Sequence, residues 1–381
     1  RPTPAAPPGA AFGVTSHRRP ATSPRMEIPA IRYAVVGAGG ISHVHLRAIA
    51  TQPGVTLVGI ADPLEPAQWR VPPEFASAPK FHDAEKLIRE TRPDLVSVCT
   101  PNLFHHQVTM LALRAGASVA CEKPMATTVA QAEEMEAARA AAGKFGGVNF
   151  SYRNVGSFRF ARELVAAGEL GRLTRVNVVY LQSFLGARMT LHTWRNDVSI
   201  AGFGALGDLG VHMIDAVRFI TGLDYQRVVG LAQTLIREKP DASGRVRPVT
   251  TDTNAAFLAE LTGGVVGTFE TTQIAPGYGN FFRVELSGEH GTLAVHSDHP
   301  DEIWLRAGAT LTAYATWKTD LPLQKLPTDF LARGAPPTPG SIVSAMRGEN
   351  VSYPTFADGL HAQRVLAAIT RSAETGAWQI P

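Results

Sequence analysis

Three clusters of residues in this chain have the composition of a reactive site. The first is Glu122-Lys123-Pro124, an acid and a base directly after Ser118–Cys121, an apolar run that reads as a short buried strand. Proline fixes its own backbone and cannot continue a strand ladder, so the charged pair is left at the strand's carboxyl end. In open α/β sheets that edge is where ligands bind. Taken alone, the tripeptide reads better as a surface acid and base ahead of a helix; its surroundings change the reading.

The second cluster is Gly37-Ala38-Gly39-Gly40-Ile41-Ser42, followed downstream by Asp62-Pro63. A strand, Arg32–Val36, runs into the turn, helical spacing follows through Ile41, His45, Ala48 and Ile49, and a second strand, Thr56–Ala61, ends at Asp62. Strand, glycine turn, helix, strand and acid within about 30 residues is the order of a dinucleotide-binding unit. Gly37 permits the tight turn and Gly39 lets the backbone approach a pyrophosphate, while the helix start supplies N–H groups and a positive dipole end. Asp62 can accept two hydrogen bonds from the adenosine ribose, and its charge repels a 2′-phosphate, which favours NAD over NADP. Ser42 replaces the third glycine and is small enough for close packing of helix on strand. The alternative for Asp62 is a helix cap or turn residue.

The third cluster is Asp208 and His212, four residues apart and so on one face of a helix. A carboxylate beside an imidazole orients the ring and raises its basicity. The alternative is an acid placed for the helix dipole and an incidental histidine. His43, His45, His105 and His106 are followed by no third ligand at a metal-site spacing, so no metal is expected.

The elements that hold these clusters alternate. After Asp62 come a helix over 83–90, a strand over 95–99, a helix over 105–115, the strand into Glu122, a helix over 128–142 and a strand over 145–149. Strands alternating with helices imply an α/β domain with a doubly wound parallel sheet over residues 27–150. Beyond it, a helix over 155–167 leads to a long strand, Leu173–Leu185, and to strand-like segments at 227–237, 255–261, 265–272, 282–287 and 292–296. One helix, 206–221, interrupts them, with Gly222 as its stop. Thr262-Gly263-Gly264 marks an antiparallel turn. Residues 151–381 therefore read as an α+β domain on a large, mainly antiparallel, open-faced sheet suited to self-association, with a closing helix over 356–375 able to pack back on the first domain. Residues 1–26, rich in Pro, Ala and Arg and without the apolar core of a secretory signal, read either as a disordered arm or as sequence ahead of a natural start at Met26.

The 381 residues are 45% hydrophobic and 18% charged, ordinary for a globular protein of one large or two smaller domains. The net charge of +3 comes from scattered Lys and Arg, which argues against nucleic acid as a partner. No apolar run approaches the roughly 20 residues that span a membrane. Cys99 and Cys121, the two cysteines, read as buried free thiols, as a reducing cytoplasm would leave them.

Together these residues resemble the Gfo/Idh/MocA oxidoreductase family from Ile31 to Trp378. The resemblance rests on Gly37-Ala38-Gly39-Gly40-Ile41, Ala61-Asp62, Thr100-Pro101-Asn102 with His105, Glu122-Lys123-Pro124, and Gly207-Asp208 with His212. Tyr180-Leu181-Gln182, Thr193-Trp194-Arg195 and Gly204–Asp208 look most like its levoglucosan and sugar dehydrogenase branch. The resemblance implies a Rossmann domain that binds NAD through Gly37, Gly39, Gly40, Ile41, Asp62, Thr100, Asn102, His105 and Glu122. It implies a sheet domain covering the nicotinamide, and a homodimer or homotetramer built through the open sheet. The reaction expected is oxidation of a secondary hydroxyl of a sugar, anhydrosugar or cyclitol. His212 would be the general base, Lys123 the group that stabilises the alkoxide, and Asp208 the holder of a neighbouring hydroxyl. Arg153, Trp194 and Arg195 would line the polyol site. Redox-assisted glycoside cleavage with tightly held NAD, and a non-catalytic NAD-binding regulator, are the alternatives.

Overall fold

The computed structural model describes residues 30–183, 190–308 and 321–381. The expected arm, 1–26, and the last residues of the strand expected to reach Leu185 lie outside them.

Six short strands form the first sheet: β1 (Ile31–Val36), β2 (Val55–Ala61), β3 (Lys80–Phe81), β4 (Leu95–Val98), β5 (Ser118–Cys121) and β6 (Gly146–Val148). Their order is β3-β2-β1-β4-β5-β6, and every pairing is parallel. The order reverses direction at β1 and β4, so a crevice opens at the carboxyl ends of those two strands. All of β4 and β5 is buried, as continuous apolar runs covered on both faces require.

Alternate residues of β1 divide between two cores. Ala34 and Val36 pack with α2 (Ala84–Thr91), α3 (His105–Arg114) and α4 (Val129–Ala142), whereas Tyr33 and Val35 pack with α1 (Ser42–Ala50) and with Ile342 and Val343. Those last two belong to a helix, Thr338–Met346, that is not among the expected elements and opens Thr-Pro-Gly. Proline is tolerated in a first helical turn, and tertiary burial supplies the rest.

The remaining helices are α5 (Gly156–Ala166), α6 (Val198–Ala201), α7 (Val211–Thr221), α8 (Thr328–Ala332), α9 (the Thr338–Met346 helix) and α10 (Phe356–Thr375). Gly222, at φ +71°, ends α7. Residues Leu206–Gly210, expected as its first turn, are wound as a π-helix instead. By length and composition Val198–Thr221 is apolar enough to cross a membrane, but it is broken at Gly202 and most of it lies inside the fold, the marks of a core segment.

A second sheet of eight strands is built from β7 (Leu173–Gln182), β8 (Tyr225–Gln233), β11 (Asn254–Leu261), β12 (Val265–Thr272), β13 (Asn280–Gly288), β14 (Gly291–His296), β15 (Glu302–Ala307) and β16 (Leu323–Lys325). The hairpin β9 (Glu238–Pro240) and β10 (Val246–Pro248) stands apart from it. The order is β16-β15-β14-β13-β7-β12-β11-β8, antiparallel except where β12 joins β7 in parallel. The strand expected to run to Arg237 stops at Gln233, where Thr234 turns to the Thr251 carbonyl and the Leu235 N–H to the Thr253 hydroxyl. Burial alternates along β11 and β12: Phe257, Ala259 and Phe269 are buried beneath the sheet, while Leu258 and Val266 stand exposed on its open face. On the covered side lie α5, α7 and α10. α10 also reaches the first sheet, where Gly359 sits against Val148 and Met125 too closely for any side chain.

Candidate active site

Gly37 closes the turn after β1 at φ +97°, and a Cβ there would fall 2.5 Å from the carbonyl of Cys99, so only glycine fits. Gly39 faces open space, with nothing within 4 Å of where a Cβ would stand. Ser42, in place of the third glycine, is buried and donates to the Gly39 carbonyl at 2.7 Å. No side chain caps the start of α1, where the N–H groups of Ser42 and Val44 donate to the Gly39 and Ile41 carbonyls and the helix adds the positive end of its dipole. Asp62 accepts the Ala38 N–H on one oxygen (2.8 Å) and the Leu64 N–H on the other (2.9 Å). It is thus a turn residue as well, and each oxygen keeps a lone pair for a ribose hydroxyl.

These groups line a cleft of about 560 Å³ together with Gly40, Ile41, Thr100 and Phe104. It adjoins a smaller cavity of about 120 Å³ that holds Glu122, Lys123, Asp208, Asn102, Phe203 and Gln273. Ile41, Thr100, Trp194 and Arg195 border both. The Thr100 hydroxyl is buried with no hydrogen-bond partner among the described residues. An open glycine turn, a helix start with its dipole, the Asp62 carboxylate and this orphaned hydroxyl are the donor and acceptor set that a dinucleotide requires, so NAD fits.

Lys123 emerges from β5 just before the cis Lys123–Pro124 peptide. Its ammonium donates at 2.7 Å to both the carbonyl and Oδ1 of Asp208. Gln273, one residue past β12, donates to Asp208 Oδ2 at 3.1 Å. Burial alone would raise the Asp208 carboxyl, but Lys123 and Arg195 outweigh it and hold the group below its usual range. The π-helical turn carrying Asp208 is fastened by Asp252, whose oxygens accept the N–H groups of Gly204 (2.7 Å) and Leu206 (2.8 Å).

No hydrogen bond joins His212 to Asp208 among the described residues: the carboxylate is bonded to Lys123 and Gln273, and its charge acts on the imidazole through space. The imidazole packs edge-on against Tyr152, 5.0 Å between centroids, with Nδ1 buried and unpartnered among the described residues. Burial, and then the Lys123 charge, push its pKa down to about 3, against the raised basicity expected of an imidazole beside a carboxylate. The ring is neutral over the whole physiological range.

Other expected site residues divide. Trp194 and Arg195 lie at the mouth of both cavities, with the guanidinium 4.3 Å above the indole. Arg153 does not reach the cavities. It is nearly buried in a bidentate pair with Asp215 (2.9 and 2.5 Å) and a longer contact with Asp358 (3.3 Å), joining α7 to α10. His105 is fully buried, its nitrogens 2.9 Å from the Pro124 carbonyl and 3.0 Å from the Thr100 carbonyl, so it ties two site loops together and faces neither cavity. Asn102 lines the smaller cavity while donating to the Ala201 carbonyl at 2.8 Å, a link to α6. Glu122 is buried at the junction, with Oε1 2.8 Å from His45 Nε2 and 2.6 Å from Asn149 Nδ2. Gln273, Asp252, Asn149 and His45 were missed. Their one signal is position, since three of them flank strand ends. No group of three metal-ligating side chains occurs among the described residues.

Comparison with known proteins agrees with this geometry. The model of an oxidoreductase family with an NAD-binding Rossmann fold, GFO/IDH/MocA, matches residues 31–150, and the GFO/IDH/MocA C-terminal domain matches 158–294. Levoglucosan dehydrogenase from Pseudarthrobacter phenanthrenivorans is 27% identical, over 91% of this chain and 97% of that one. The crystal structure of an oxidoreductase domain protein from Kribbella flavida superposes with a TM-score of 0.82 at 31% identity, covering 92% of this chain and 99% of that one. A levoglucosan dehydrogenase solved with NADH and L-sorbose has the same fold, with a TM-score of 0.82 at 24% identity over 92% of this chain and 99% of that one.

Proposed function

This chain belongs to the GFO/IDH/MocA oxidoreductase family, and from that premise we propose that it oxidises a secondary hydroxyl of a sugar, anhydrosugar or cyclitol by hydride transfer to NAD. The observation that carries the reading is the Lys123–Asp208 pair inside the small cavity that adjoins a dinucleotide-sized cleft. A levoglucosan dehydrogenase and a glucose-6-phosphate 3-dehydrogenase among its full-length relatives support the substrate class.

Bound NAD supplies the hydride acceptor. Gly37, Gly39, Gly40, Ile41 and the start of α1 receive the pyrophosphate; Asp62 takes the adenosine ribose and disfavours a 2′-phosphate; Thr100, Asn102 and Glu122 border the nicotinamide end. Lys123 donates to the reacting oxygen and stabilises its developing charge. Asp208 aims that ammonium and accepts a neighbouring hydroxyl. His212, uncharged at working pH, accepts the hydroxyl proton as the hydride leaves, a transfer that its depressed pKa makes uphill unless negative charge on the bound substrate raises it. Trp194 offers an aromatic wall and Arg195 a polar rim. Two copies join through the open sheet face, where Leu231, Leu258 and Val266 are exposed, and the buried thiols Cys99 and Cys121 suit a reducing cytoplasm.

The test is NADH absorbance with NAD⁺ or NADP⁺ against a panel of aldoses, anhydrosugars, inositols and aryl glucosides. A rise with NAD⁺ that Lys123→Met abolishes is expected. Released aglycone without accumulated NADH would replace the reading with redox-assisted glycoside cleavage. In Asp62→Ser the preference for NAD over NADP should shrink; an unchanged preference would leave Asp62 as a turn residue alone.

A further inference from the structure

Beneath the smaller cavity a buried chain of polar side chains ends on Glu122, and its other members, Tyr33, Ser97, His45 and Asn149, have no part in the reaction above. Tyr33 OH lies 2.6 Å from Ser97 Oγ, Ser97 Oγ lies 2.9 Å from His45 Nδ1, and His45 Nε2 lies 2.8 Å from Glu122 Oε1. Asn149 donates to that same oxygen. The members come from β1, β4, α1 and the carboxyl ends of β5 and β6. Tyr33, Ser97 and His45 are fully buried, and Glu122 and Asn149 are 6% and 5% exposed.

With Glu122 ionised and a single proton on His45, one arrangement of protons satisfies every link. The carboxylate can only accept, so His45 must carry its proton on Nε2. Nδ1 then accepts from the Ser97 hydroxyl, whose oxygen accepts from Tyr33. All donors point toward Glu122. Both strong donors fall on Oε1, whereas Oε2 has only the Lys123 backbone N–H, at 3.3 Å, among the described residues. Glu122 also lines the smaller cavity. A carboxylate held on one oxygen and open on the other is an acceptor prepared for a hydroxyl.

We propose that His45 is a positioning residue: through this chain it keeps Glu122 ionised and turned so that Oε2 accepts a ribose hydroxyl of bound NAD beside Lys123. The inference rests on the function proposed above. Burial by itself would raise the Glu122 carboxyl; the His45 hydrogen bond, the Lys123 charge and Asn149 reverse that and hold it below its usual range. The other titratable groups facing it are Cys99 beyond β4, Cys121 on β5, His105 on α3 and His212 on α7. Burial holds all four neutral near pH 7, which leaves Lys123 and His45 to set the charge on Glu122.

Three variants test the chain: His45→Leu removes the donor and keeps bulk, His45→Gln retains a donor, and Ser97→Ala frees Nδ1. NAD affinity is measured by calorimetry from pH 5 to 9, and the protonated carboxyl band by infrared spectroscopy of the cofactor-free protein, assigned with Glu122→Gln. In His45→Leu, Glu122 should protonate nearer neutrality, so its band appears between pH 5 and 7. NAD binding should weaken roughly tenfold at pH 6 and approach wild type at pH 9. His45→Gln should restore most of the loss, and Ser97→Ala should give a smaller change in the same direction. Weakening that is uniform in pH and not rescued by Gln would mean a structural role and overturn the proposal, as would wild-type behaviour in His45→Leu. If His45→Leu does not fold, Ser97→Ala with an unaltered profile overturns it. Failure of the wild type to bind NAD would instead refute the functional reading, and the infrared band would still decide the state of Glu122.

Discussion

Lys123 and His212 were expected to act on one hydroxyl from opposite sides, and their surroundings give each a sharper character. Lys123 is anchored by two oxygens of Asp208, so in the proposed reaction its cation would meet the alkoxide without reorganisation. Lys123→Met should lower kcat by roughly 10²–10³-fold, the size of one lost oxyanion donor, while calorimetry finds NAD affinity nearly unchanged. For His212 the sign of the pH effect follows from its depressed pKa. Unfolded, the imidazole protonates near 6.5; folded, it resists down to about 3. The unfolded state therefore binds the extra proton, and stability falls as pH drops through that window. His212→Asn should make the slope of unfolding free energy between pH 6 and 4 shallower by about 1.4 kcal/mol per pH unit, measured by denaturant titration of the cofactor-free protein. An unchanged slope would mean the ring titrates normally.

The π-helical turn at Leu206–Gly210 is the element that decides the site. It presents Asp208 to Lys123, and Asp252 fastens it by accepting the N–H of Leu206 and that of Gly204 just before it. Asp252→Ala leaves those donors buried and unpaired. It should cost about 1–3 kcal/mol in chemical denaturation and lower kcat/KM through misplacement of Asp208. The glycine turn is equally constrained: in Gly37→Ala the new methyl meets the Cys99 carbonyl, so NAD binding by calorimetry should fall beyond detection while far-UV dichroism persists.

Across the whole molecule, the second sheet buries one face against α5, α7 and α10 and leaves the other with exposed Leu231, Leu258 and Val266. Val229 lies across from Leu258, and Ala256 across from Leu231, so the apolar stripe is continuous over β8 and β11. A Leu231→Glu, Leu258→Glu pair should sediment as a smaller species than the wild type; an identical coefficient would remove this face as the interface. Arg153 acts at the same scale. With Asp215 and Asp358 it joins helices that touch both sheets, so Arg153→Met should lower the melting temperature and leave substrate preference unaltered.

What local pattern determines was legible in the residues themselves. The period-2 and period-3.6 apolar runs placed nearly every strand of the parallel sheet, and Gly37, Asp62, Lys123 and Gly222 announced a turn, an acid, a base and a stop because their chemistry acts within a few residues. Tertiary structure alone decided which groups face each other over long separations. Lys123 meets Asp208 across 85 residues, Glu122 meets His45 across 77, and Ile342 and Val343 fill a core begun at Tyr33. The same holds for Arg153 and His105: the sequence marks both as polar, but only packing reveals that one is spent on buried carboxylates and the other on two loop carbonyls. The reason is physical. Propensity and turn chemistry are local energies that a short window contains, whereas burial and charge pairing depend on the neighbours that the finished fold supplies.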